Sequence, residues 1–162
     1  MDSYNSTINI VLLEPRIPGN VGTIGRLCYA IDATLHLIKP YGFGDITKKE
    51  LRRAGLDYWE FLKVFEYEDI QSFWHKHTIS NNHYFATTKT DKNYFDVNFS
   101  HNTYIYFGRE DAGLPQYILE KNQHNCITIP MKNEARSLNL SNSVSIISYE
   151  IVRQHTKRLS TI

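Results

Sequence analysis

Apolar residues first crowd together at Ile8–Leu13, a run interrupted only by Asn9. A short run of this kind, closed by Pro15 and Pro18-Gly19, predicts a strand buried on both faces. A helix is expected from about Asn20 to Ile31, with Leu27, Ala30 and Ile31 on its inner face. Thr34–Ile38 reads as a second strand that Pro40 ends, and further strands are expected at Leu62–Phe65, His83–Thr87, Thr103–Phe107 and Cys126–Ile129. Helical signals lie at Thr47–Ala54, Glu68–His77 and Pro115–Glu120. A long last helix spans Ser141–Arg158. Its apolar stripe is Val144, Ile147, Ile151 and Val152, and Ser141 stands in an N-cap position. Strands that alternate with helices predict an α/β fold, a mostly parallel sheet with helices on both faces. Ligands of such sheets bind beyond the carboxyl ends of the strands, so the loops that follow strands carry the information.

Length and composition narrow this picture. No repeat or Pro/Gly/Ser-rich linker divides the 162 residues, which are expected to form a single domain (1–162) with a polar N-terminal tail (1–7). Lys plus Arg number 18 against 17 Asp plus Glu, which excludes a globally basic nucleic-acid coat and an acidic disordered tail. Any RNA contact must come from a local patch, and Lys39–Arg53 holds five basic residues while Asp57–Asp69 holds five acids. Cys28 and Cys126 each sit in an apolar run and read as reduced core residues of a cytoplasmic protein. No stretch is apolar enough to span a membrane, and Met1–Thr7 lacks the apolar core of a secretory signal. His75 and His77 would point to different sides of a helix and the other histidines are scattered, so no metal is expected. The absence of a G-x-S-x-G elbow argues against a serine hydrolase.

Three loops carry candidate chemistry. The first is Pro18-Gly19-Asn20-Val21-Gly22-Thr23-Ile24-Gly25-Arg26, a Gly-rich helix start suited to anions. It is neither G-x-G-x-x-G nor a Walker A loop, and Lys39 stands where a dinucleotide fold wants a ribose-binding acid. Asn20 and Arg26 can both look toward the loop's mouth; a capping Asn and a surface Arg fit the spacing as well. The second is Phe107-Gly108-Arg109-Glu110-Asp111-Ala112-Gly113-Leu114-Pro115. Its two glycines allow a tight backbone excursion past a flat ligand, and its acids would welcome a cation and repel a phosphate. The third comprises Ile129-Pro130-Met131 and Arg136-Ser137-Leu138-Asn139-Leu140-Ser141-Asn142, rich in groups able to clamp a purine and ribose.

In this order and spacing the loops resemble the three motifs of the SPOUT RNA methyltransferases. The patterns are P-x-N-x-G-x-x-x-R, F-G-x-E-x-x-G-L-P, and I-P-M followed by R-S-L-N-L-S-N. Leu51-Arg52-Arg53-Ala54-Gly55-Leu56-Asp57-Tyr58 is similar to a segment of the members that act on the tRNA wobble nucleotide. The resemblance runs from Ile8 to about Gln154. It implies a deep C-terminal trefoil knot, a homodimer, and methyl transfer from S-adenosylmethionine to the ribose 2′-OH of nucleotide 34 (cytidine or modified uridine) in the tRNA anticodon stem-loop. The cofactor slot would then lie at Ala86, Thr87, Gly108, Ile129, Ser137 and Leu138, with Met131 and Leu140 as apolar walls.

The resemblance makes Arg26 the catalytic arginine. A guanidinium stays protonated, so its expected role is to bind a phosphate beside the target and stabilise the developing alkoxide. Asn20 and Asn139 would orient Arg26 and the ribose, and Glu110 would hold its loop or pair with Arg26. Lys48, Lys49, Arg52 and Arg53 are the first candidates for RNA phosphates, with the tail at Arg153, Lys157 and Arg158 second. Tyr41 and Phe43 lie near that patch as candidates for base stacking, with core packing as the other reading. A different tRNA or rRNA position, a catalytically silent knotted RNA-binding protein and a flavodoxin-like phosphate binder are the competing readings.

Overall fold

The computed structural model describes residues 7–45 and 59–159, and side chains as far as residue 156. The helix expected at Thr47–Ala54, the segment Leu51–Tyr58 and the basic residues Lys48, Lys49, Arg52 and Arg53 lie outside the described residues, as do the side chains of Lys157 and Arg158.

Six strands form one sheet: β1 (Thr7–Leu13), β2 (Thr34–Ile38), β3 (Val64–Tyr67), β4 (His83–Ala86), β5 (Asn102–Phe107) and β6 (Cys126–Ile127). Their order is β3-β2-β1-β5-β4-β6. Every pairing is parallel, with Ile10 opposite Leu35 on one side and Ile105 on the other. Four α-helices accompany it among the described residues: α1 (Pro18–Ala30), α2 (Ile70–Lys76), α3 (Gln116–Lys121) and α4 (Leu140–Leu159). Both faces of the central strands are buried because successive side chains point to opposite sides. Ile8, Ile10 and Leu12 join Leu35, Leu37, Ile105 and Phe107 in one core, which α1 and α4 cover with Val21, Ile24, Cys28, Val144, Ile147 and Ile151. Val11 and Leu13 join Ile38, Tyr104 and Tyr106 in a second core under α2 and α3, closed by Ile70, Phe73, Ile118 and Leu119. Each such aliphatic side chain contributes about 1.5–3 kcal/mol of burial.

Several expected boundaries and faces move. The inner face of α1 is Val21, Ile24 and Cys28; Leu27 is half-buried and Ala30 is exposed. The helix starts at Pro18, with Ile17 as an N-cap that offers no side-chain bond, so Asn20 lies inside the helix rather than capping it. Strand β3 begins two residues later than the apolar run suggests, after a 3₁₀ turn at Trp59–Phe61. Leu62 looks like a strand residue, yet it packs with Trp59 against Gly25 of α1, where a Cβ would meet Trp59 at 2.7 Å. Strand β6 stops at Ile127, and Thr128 pairs in an isolated parallel bridge with Asn93. Tyr41 is buried and its hydroxyl donates a hydrogen bond to Glu66 Oε1 at 2.7 Å, with its ring stacked on Phe43 at 5.4 Å, so it is a core residue and not an open stacking platform. Both cysteines are buried free thiols, and burial pushes the Cys28 thiol up to about 12.

Candidate active site

The loops after β1, β4, β5 and β6 surround a cavity of about 470 Å³ at the carboxyl ends of these strands. That is the range of small-molecule and cofactor sites. The switch in strand order, from β1 outward to β3 and then back across to β4, opens the crevice there.

Each wall has a local cause. After β5, Gly108 lies flat against the backbone of Gly113 and Leu114, so no side chain fits at position 108. Gly113 turns the chain back with φ 70°, and its N–H donates to the Arg109 carbonyl at 2.8 Å. The glycines thus close the loop on itself before any ligand is considered. Arg109 holds Asp111 with two bonds of 2.8 and 2.6 Å, which keeps that carboxyl below the usual range. Glu110 is engaged as well, by neutral donors that leave its charge in place. Its Oε2 accepts the Arg16 N–H at 2.7 Å, and its Oε1 accepts the Ile17 N–H at 3.1 Å and Asn20 Nδ2 at 3.2 Å. One carboxylate therefore ties the second loop to the start of α1, where the helix dipole favours it.

Asn20 passes the connection on. Its Oδ1 accepts from Asn139 Nδ2 at 3.2 Å. Asn139 in turn uses its own Oδ1 to accept the N–H of Ser141 at 2.9 Å and of Asn142 at 3.3 Å, together with the Ser141 hydroxyl. The N-cap of α4 is therefore Asn139, and the expectation for Ser141 is corrected: the Ser141 hydroxyl donates to the cap instead of acting as one. The chain Glu110–Asn20–Asn139 joins the three loops that the sequence singled out.

The cavity wall brings together Ala86, Thr87, Gly108, Ile129, Met131, Ser137, Leu138 and Leu140, with Asn20, Glu110 and Asn139 beside them. Arg26 stands apart. It is exposed on α1, lies outside the cavity lining and makes no hydrogen bond or ion pair among the described residues. Asn20, Asn139 and Glu110 make no hydrogen bond or ion pair with it. Six residues of helix turn Arg26 about 120° away from Asn20 around α1, so the two do not share the loop's mouth. Sequence reasoning missed Thr88 and Lys89, which line the cavity after β4. Their position beyond a strand's carboxyl end was the available signal.

Residues 7–149 match the SpoU rRNA Methylase family. The chain belongs to this family. A tRNA (cytidine(34)-2′-O)-methyltransferase of Yersinia pestis is 44% identical over 152 residues, covering 91% of this chain and 93% of the relative. A solved structure concerned with the 2-OH methylation of C/U34 on tRNA superposes with TM-score 0.85 at 31% identity, covering 94% of this chain and 99% of that one. The SpoU methyltransferase AviRb of Streptomyces viridochromogenes, in complex with AdoMet, shares the fold at TM-score 0.78 and 23% identity, over 93% of this chain and 58% of that one.

Proposed function

We propose that this chain methylates the ribose 2′-OH of the wobble nucleotide, position 34, a cytidine or modified uridine, in the tRNA anticodon loop. The observation that carries the reading is the convergence of three distant loops on one cavity through Glu110, Asn20 and Asn139. The relatives named for this reaction support it.

The cavity suits S-adenosylmethionine by its donor set. The amides of Ile129, Met131, Ser137 and Leu138 make no backbone hydrogen bond among the described residues and are open to a purine and ribose. Leu138, 38% exposed, and Met131, Leu140 and Ala86 supply apolar surface. Thr87 and Gly108 complete the slot. When bound, the cofactor supplies an electrophilic methyl on a sulfonium. The protein's task is then to hold a ribose oxygen in line with that methyl and keep water out. Asn20 and Asn139 fix the loops that make the slot, and Arg26 neutralises charge at the target phosphate and the developing alkoxide.

A homodimer belongs to this reading. The Val144/Ile147/Ile151 stripe is used within the chain, so the contact falls to outer faces of α1 and α4, where Tyr29 and Tyr149 are each 52% exposed. Packing α1 against a second copy would carry Arg26 toward that copy's cavity. A C-terminal knot belongs to it too. Strand β6 lies at the sheet edge beyond β4, yet the chain returns to pack α4 on α1, crossing the ends of the strands between. RNA phosphates would meet Lys48, Lys49, Arg52 and Arg53 first, and cytoplasmic residence follows from the substrate. The test is incubation with total tRNA and S-adenosylmethionine, then nucleoside and fragment mass analysis. A 2′-O-methyl group at nucleotide 34 is expected; one at any other tRNA or rRNA position replaces this reading.

A further inference from the structure

Arg16 is a half-buried cation that makes no ion pair among the described residues, although its charge helps to hold the Asp111 carboxyl low. Its stem lies flush on the backbone of Gly42, where a Cβ would come within 2.8 Å of the Arg16 Cα and closer still to its side chain. The Gly42 N–H fixes this contact by donating to the Pro15 carbonyl at 3.0 Å. Packing holds the arginine in place, and its Nε is buried without a hydrogen-bond partner among the described residues. Two carboxylates stand near, and both are committed elsewhere. Glu110 accepts the backbone N–H of Arg16 and Ile17 and the Asn20 amide, and Asp111 is held bidentately by Arg109. No ion pair joins either of them to the Arg16 guanidinium. A protonated guanidinium that is partly desolvated and left unpaired is costly unless an anion from outside completes it.

Its place says which anion. Arg16 directly precedes Ile17 and leans on Glu110, both of which line the cavity. A ribose that presents its 2′-oxygen to that cavity brings its flanking phosphodiesters to the cavity's edge, and Arg16 stands next to Ile17 in the wall. We propose that Arg16 is a substrate-positioning residue that binds a backbone phosphate of the RNA next to the target ribose, with Gly42 as the seat that holds its side chain. The inference rests on the methyltransferase reading and adds the residue that registers the strand against the cofactor slot.

The test measures tRNA binding across a salt series, with cofactor binding by calorimetry alongside, for the full chain and for Arg16→Gln, Arg16→Lys and Gly42→Ala. Arg16→Gln is expected to weaken tRNA binding roughly five- to tenfold at low salt and to flatten the log–log salt slope by about 0.7–1. Arg16→Lys keeps the slope near that of the parent while losing part of the affinity, because an ammonium lacks the two-pronged donor geometry. Gly42→Ala displaces the arginine without altering charge and is expected to raise the KM for tRNA in the same direction. An unchanged slope and affinity in Arg16→Gln, with cofactor binding intact, overturns the inference. So does a loss of cofactor affinity at unchanged slope, which would make Arg16 a partner of the cofactor's carboxylate. A parent protein that neither binds nor methylates tRNA fails the function itself, and the inference falls with it; a parent that methylates tRNA while the Arg16 variants match it sinks the inference alone.

Discussion

Glu110 shows how much of the site rests on single atoms. Its two oxygens accept three N–H groups, two of them from the backbone at the start of α1. Glu110→Gln puts an NH2 where one acceptor stood, so at least one donor faces another. The cost is about 1–3 kcal/mol, which corresponds to a fall in Tm of roughly 2–10 °C; scanning calorimetry should show it, with weakened cofactor binding alongside. Arg26→Ala has the opposite profile. Because Arg26 lies outside the cavity wall and bonds to nothing among the described residues, cofactor affinity and Tm should stay near the parent values. Methylation should drop roughly 100- to 1,000-fold, as for loss of a group that meets developing charge; activity that survives removes Arg26 from the chemistry. The acids and asparagines of the loops were legible as residue types in the sequence. Their partners were not, since Glu110 and Arg16 are 94 positions apart and only the folded sheet brings them together.

The N-terminus of α4 is the element where stability and site geometry meet. Asn139 caps the helix with its oxygen and grips Asn20 with its nitrogen. Asn139→Asp keeps the cap and places a carboxylate at a favourable dipole end, but loses the N–H that Asn20 accepts. Asn139→Ala loses both. Thermal unfolding should therefore leave Asn139→Asp close to the parent and cost Asn139→Ala about 1 kcal/mol, while cofactor affinity falls in both; an aspartate variant that binds cofactor normally would show that the Asn20 link does not shape the slot. The long apolar periodicity of α4 made this helix readable in advance, and the buried Val144, Ile147 and Ile151 agree with it. For α1 the periodicity misled, because Gly22 and Gly25 lie on its buried face and leave no apolar mark. The start of β3 was hidden for a related reason: Leu62 is apolar because it packs on a helix, not because it belongs to the sheet.

Across the whole molecule, the two cores differ in chemistry. One is mainly aliphatic with a few aromatic rings, and the other holds a run of bonded rings that composition showed only as scattered histidines. Asn9 Nδ2 donates to Asn102, so its Oδ1 accepts from His36 Nε2 at 3.0 Å. His36 Nδ1 then accepts from Tyr67, whose oxygen accepts from His77, whose Nδ1 accepts from Tyr104. His83 accepts from Tyr106, which itself takes the Trp74 N–H. Every ring must be neutral for this order to hold, and burial pushes His36 down to about 3 and His83 down to about 4. The unfolded chain takes up these protons near pH 6.5 and the folded one does not, so stability is present above 6.5 and declines as pH falls toward 4. The slope is about 1.4 kcal/mol per pH unit for each such histidine. Denaturant titrations from pH 7 to 4 should record it, and His36→Gln should flatten it; a slope unaltered by that change would rule out His36 as a source. The parallel sheet with helices on both faces was readable because alternation, apolar runs and loop punctuation agree. The cavity was readable only as three loops, since periodicity carries no information on which strands become neighbours. Finally, β6 is two residues long and the cavity wall continues through Leu140 into α4. A nascent chain still lacking that stretch has no slot to offer, so cofactor cannot assist its early collapse on the ribosome and can stabilise it only once synthesis is nearly complete.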